Sequence, residues 1–124
     1  MRPLFHPAVE DINVEGILHA LSDVTRVRIF ARIVSAQCSQ ICSAFLEVSD
    51  KPIPKSTLSQ HFNVLREAGL IRSERRGVEM HNTSRLQELD ERFGSMIRSI
   101  LEAHAAQSDR HRRAGKSKRA KKAA

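Results

Sequence analysis

The sequence predicts a mainly α-helical domain with one small β-hairpin, in the order α-α-α-α-β-β-α. Three observations carry that prediction. Apolar residues recur at three- and four-residue steps through most of the chain. One such segment, KSTLSQHFNVLREAGL, ends on a glycine and carries hydroxyls and amides on its outer side. Directly after it, LIRSERRGVEMHN alternates loosely and folds back at Arg76-Gly77, the pattern of a hairpin. A length of 124 residues, 40% apolar and 28% charged, suits one soluble domain, and five Phe with no Trp or Tyr make its core mostly aliphatic.

Taken in order, VEDINVEGILHALSD sets Val9, Ile12, Leu18 or Ile17, and Leu21 near one helical stripe. Ser22 or Asp23 can cap the helix that follows, from Val24 to about Ser35, by accepting its first unpaired amide protons. Val27, Phe30, Ala31 and Val34 form the apolar side of that helix, while Arg26, Arg28 and Arg32 point outward. Cys38 to Leu46 is a short apolar run that reads as a third helix. The polar loop VSDKPIPK follows, with Pro54 suited to a first helical turn because proline lacks the amide proton that a first turn leaves unused. In the fourth helix Leu58, Phe62 and Leu65 share a stripe and Gly69 supplies the left-handed stop. A last helix from about Leu86 to His104 aligns Leu89, Phe93, Met96, Ile97, Ile100 and Leu101.

The net charge of +7 is localised: residues 110–124 hold eight of the 21 basic residues and no acid, while the other 13 nearly balance all 14 acids. With no apolar side chain larger than Ala, that end is predicted to be a disordered basic tail (108–124) behind a folded domain (1–107). Its lysines and arginines would either stay solvated or grip phosphates through counterion release. No apolar run approaches the ~18 residues of a membrane span. The opening MRPLFHPAVEDINVEG lacks the apolar core of a signal peptide. Two Cys four residues apart cannot staple a fold, so a cytoplasmic protein with no membrane partner is expected.

With its apolar stripe turned inward, the fourth helix presents Ser56, Gln60, Asn63 and Glu67 outward, flanked by Lys55, Thr57, Ser59 and His61. Glutamine and asparagine can pair bidentately with adenine, and Ser, Thr and Lys suit bases or phosphates. The hairpin adds Arg72, Arg75 and Arg76, placed for phosphate or minor-groove contact. A polar-faced helix followed by an arginine-tipped hairpin is the pattern of a winged helix-turn-helix, and Lys55, Ser56, Thr57, Ser59, Gln60, His61, Asn63, Arg72, Arg75 and Arg76 are the candidate DNA contacts. Two other readings stand beside it. One is a protein-interaction module, which would need an apolar recognition face. The other is an architectural binder of DNA that relies on the basic tail.

From Ile17 to about Leu101 the chain resembles the ArsR/SmtB family of bacterial winged-helix repressors. The match rests on LHALSDVTRVRIFARI, similar to the family's leucine-x-aspartate-proline-threonine-arginine signature, and on STLSQHFNVLREAGLIRSERRGVEMHNTS. Ser59-x-His61, LREAGLI and the RRG wing are its specific parts, and Val24 stands where the family usually has proline. The resemblance implies a homodimer joined through the first and last helices. It also implies repression of a palindromic double-stranded operator, relieved by an inducer, with two recognition helices about one DNA turn apart.

Family members often sense metals, so the donors matter. Cys38 and Cys42 are four apart, near the position where some members carry a Cys-x-Cys pair, but Ala44 stands two after Cys42. They are candidate redox or soft-metal residues, or simply two small buried hydrophobes. On the last helix Arg92 replaces an expected histidine after Asp90, and Glu91, His104, Asp109 and His111 form no paired set. No metal and no cofactor are therefore expected. An unidentified small-molecule inducer, thiol modification, or no signal are left as the alternatives. No phosphate-binding loop and no nucleophile–base grouping point to an enzyme.

Overall fold

The computed structural model describes residues 4–36, 39–46, 48 and 51–123, with the backbone alone for Cys42, Ser43 and 116–123. The chain divides into two units, Met1–Gly94 and Ser95–Ala124. In the first, a 3-10 turn at Val9–Asp11 precedes helix α1, Val14–Ala20. The helix expected from Val9 is interrupted because Ile12 is extended and Asn13 starts the helix afresh, its Oδ1 accepting from the Gly16 amide at 2.7 Å. Helix α2, Val24–Ser35, is capped by Asp23, whose Oδ1 accepts from the Arg26 amide at 3.1 Å. Val27, Ile29, Phe30 and Ile33 are buried along it. Arg26, expected to point outward, turns back instead. Its guanidinium donates to the Ala20 carbonyl at 2.8 Å and to the His19 carbonyl at 3.3 Å, at the end of α1.

The largest departure from the sequence pattern is the third helix. Gln40–Ile41 form a short strand, β1, and Cys42–Phe45 only a 3-10 turn. A run this short gains little as an isolated helix. As a strand it completes a sheet, pairing Gln40 with Asn82 and Ile41 with His81. Phe45 is then placed in the core, edge-on to Phe62 at 5.4 Å between ring centroids, with the Arg32 guanidinium 5.0 Å from its ring centroid.

Helix α3, Lys55–Glu67, begins after Pro54 and buries Leu58, Phe62 and Leu65. Each such side chain contributes roughly 1.5–3 kcal/mol through removal from water. Gly69 ends the run with φ +86°, a conformation that costs glycine nothing, and the Leu70 amide bonds the Leu65 carbonyl at 3.1 Å. The glycine also lies flat against Ile12, where a Cβ would collide. Strands β2, Ile71–Arg76, and β3, Glu79–Ser84, form the predicted hairpin in register Ile71↔Ser84 to Arg76↔Glu79. The antiparallel sheet has the order β1-β3-β2.

Helix α4 runs from Leu86 to Ala123. Its start belongs to the first unit, where Leu89 and Phe93 are buried. The rest is the second unit, in which Met96, Ile100 and Leu101 are half-buried, and Asp109 pairs with Arg112 at 3.6 Å. The backbone of 108–123 is helical, where composition predicted a tail without structure. Lys, Arg and Ala are good helix formers, and no proline interrupts them. Neither Cys38 nor the side chain of Cys42 falls within the described residues, so the thiol pair has no structural counterpart to report.

Candidate nucleic-acid interface

The inward stripe of Leu58, Phe62 and Leu65 fixes the rotation of α3 and so decides what faces out. Lys55, Ser56, Ser59, Gln60, Asn63 and Glu67 are exposed, as the periodicity predicted. Thr57 and His61 are half-buried at the flanks. His61 Nδ1 lies 3.4 Å from Arg26 Nη1, so this histidine looks toward α2 rather than along the outer face. Asn63 Oδ1 accepts from Arg66 at 2.7 Å, which occupies one acceptor position and leaves its amide donors outward. Pro54 gives α3 no side-chain cap, and the first turn carries no acid. The end of the helix therefore presents unpaired amide donors and the positive pole of its dipole beside Lys55, an arrangement suited to an anion such as a phosphate.

The wing is a tight hairpin. Gly77, with φ +64°, takes the first central position of its two-residue turn, the glycine-first pattern of a type II′ connection. Val78 beside it is fully exposed. Arg75 and Arg76 are exposed at the tip, Arg76 lightly held by Glu74 at 3.4 Å. Arg72 behaves differently. Its Nη2 lies 3.1 Å from Glu88 Oε1, so it ties the wing to the start of α4. The wing tip and the first two turns of α3 border one cleft of about 370 Å³, with Lys55, Leu58 and Ser59 on one side and Val78, Glu79 and Met80 on the other. The polar face and the hairpin tip thus belong to one surface.

Beneath that surface lie polar groups the periodicity did not single out. Asn82 is fully buried in β3. Its Oδ1 accepts from the Ser73 hydroxyl at 2.7 Å, and its Nδ2 donates to the Gln40 carbonyl at 3.0 Å, linking all three strands. His6 Nε2 accepts from the Ser73 amide at 2.9 Å on the sheet's edge strand. Buried Arg85 donates to the Pro7 carbonyl and to Glu88, both at 2.8 Å. Burial, together with the guanidinium charges of Arg72, Arg66 and Arg85, pushes the His6 imidazole below its usual pKa. Hydrogen bonding from Arg85 chiefly lowers that of Glu88, with Arg72 adding to it. An asparagine inside a strand pattern is the one local cue that could have marked this network, since Asn is disfavoured there without a partner.

Among the described residues no group of three or more His, Cys, Asp or Glu side chains is placed to hold a metal ion. No described helix is long and apolar enough to cross a membrane.

Comparison with known proteins agrees with this geometry. Residues 21–74, from the end of α1 through most of β2, match the family described as helix-turn-helix domain. No curated protein matches the chain. A similar solved structure is an ArsR-like transcriptional regulator from Rhodococcus sp. RHA1, 27% identical, with 83% of this chain and 89% of that chain covered and a TM-score of 0.50. The helix-turn-helix match, the arginine-tipped wing and that structural likeness agree: the chain carries a helix-turn-helix domain and is similar in fold to an ArsR-like transcriptional regulator.

Proposed function

We propose that the protein is a sequence-specific, homodimeric transcriptional repressor acting in the cytoplasm on a palindromic operator and released by a small-molecule inducer. The observation that carries this reading is the outward face of α3 and the wing tip bordering the same cleft. In this reading α3 enters the major groove. Gln60 and Asn63 address base edges, and Lys55, Ser56, Thr57 and Ser59 address phosphates or bases. Arg75 and Arg76 contact the adjoining backbone or minor groove. His61 and Arg72 serve the surface indirectly, through Arg26 and Glu88. A homodimer is supported by Val14 and Leu18, exposed one turn apart on α1, and by the half-buried Met96, Ile100 and Leu101 of α4.

Selection of bound genomic fragments by the purified protein gives the operator, and sedimentation of the complex should find two chains per site. On that operator Gln60→Ala should weaken binding by about 1–3 kcal/mol, with far less loss on random DNA. An equal loss on both would show that Gln60 reads no base. Failure to retain any fragment at physiological salt would overturn the proposal.

A further inference from the structure

The cleft between α3 and the wing is more than a gap between two DNA-facing elements. It is lined by Ile41, Leu46, Leu58, Val78 and Met80, with Lys55, Ser59 and Glu79 as the residues with polar side chains. We propose that this cavity is a binding site for an apolar monocarboxylate. The carboxylate would sit on Lys55 and Ser59, and the hydrocarbon body between Leu58 and Met80. The inference gives a chemical class to the inducer of the proposed repressor, and only its effect on DNA rests on that reading.

Size sets the first limit. An apolar cavity of about 150 Å³ takes up benzene. This cleft is open on one side and, at about 370 Å³, has room for a phenyl ring with a short chain, at the small end of ligand pockets. Wall chemistry sets the second limit. Five aliphatic or thioether side chains favour an apolar body over a sugar or a metal oxyanion, whose polar groups gain no partners from them. The sign of the ligand charge follows from the partners already made. The Glu79 carboxylate lies on the opposite wall from Lys55, 3.6 Å from His81 Nε2, which pairs with it as an ion only when that ring is protonated. Lys55 makes no hydrogen bond or ion pair among the described residues. Behind it stands the uncapped, acid-free first turn of α3. An anion at that end completes Lys55 and is favoured by the helix dipole, whereas a cation meets an ammonium and the positive helix end. The same Lys55 faces DNA in the proposed complex, so an occupied cavity and a bound duplex compete for it.

The test uses the full chain and three probes of one shape: phenylbutyrate, its amide and phenylbutylamine. Proton–nitrogen correlation NMR should show phenylbutyrate moving the amides of Lys55–Ser59 and of Val78–Met80. Its affinity should be at least about tenfold above that of the amide, the worth of one charge-assisted hydrogen bond. Exposed Lys55→Met should erase the difference between acid and amide. Met80→Trp should block both by filling the cavity, and if that variant fails to fold, the wild-type shifts and Lys55→Met decide alone. In operator retention, phenylbutyrate should raise the apparent Kd in proportion to its concentration. Amine binding as tight as acid, shifts confined to other residues, or none up to the solubility limit would overturn the assignment. DNA retention without these shifts sinks this inference alone. The shifts without any DNA retention sink the repressor reading and leave the cavity assigned.

Discussion

At His6 a single imidazole nitrogen accepts the Ser73 amide proton, which only the neutral ring can do. Its pKa is depressed below the usual 6.5, first by burial and then by the charges of Arg72, Arg66 and Arg85. The unfolded chain therefore binds this proton more readily than the folded one. The contribution of His6 is fully present above pH 6.5 and is lost as pH falls below it. Urea denaturation at about pH 8 and about pH 5 should show the wild type losing stability on acidification more steeply than His6→Ala. Equal slopes would mean the ring adds nothing to the pH dependence. At Glu88 the hydrogen bond from Arg85, and then that from Arg72, lowers the carboxyl pKa below its usual value and so favours the charged form that ties the wing to α4.

Among the elements, α2, α3 and the hairpin were legible because their signals are local. Asp23, the stripe of Leu58, Phe62 and Leu65, and the two glycines at positive φ each act within a few residues. The strand that replaces the expected third helix is not legible locally because its conformation is decided at a distance: Gln40 and Ile41 pair with partners some forty residues away. The same holds for Arg26 and Arg85, whose carbonyl partners no periodicity encodes. Asn82 is where local preference and tertiary need conflict most openly. Asn82→Ala would leave the Ser73 hydroxyl and the Gln40 carbonyl without this partner in a buried setting, and should cost about 1–3 kcal/mol by chemical denaturation. Pairing Asn82→Val with Ser73→Ala removes both ends of the main bond and should recover part of that loss.

At the scale of the whole chain, function was more legible than assembly. The outward face of α3 was readable from spacing alone. The helical continuation through 108–123 was not, because composition fixes charge without fixing order. In the proposed complex that stretch would act on DNA through long-range attraction. Removing residues 110–124 takes away eight basic side chains. The expected result is a shallower dependence of operator affinity on salt, each lost phosphate contact lowering the logarithmic slope by about 0.9, while the preference for operator over random DNA persists. Abolished binding would instead identify the tail as the principal grip.

Gly69 joins α3 to β2 with almost no intervening chain, pinned by Leu70 to the helix and by Ile12 from behind. Such a joint has no slack. On a duplex bound as proposed, the stagger between the bases beneath the helix and the sugar–phosphate rail beneath the hairpin would consequently be a fixed dimension of each chain. In the proposed repressor, an incoming signal would evict the pair or swing it bodily off its target, with no means of retuning one against the other.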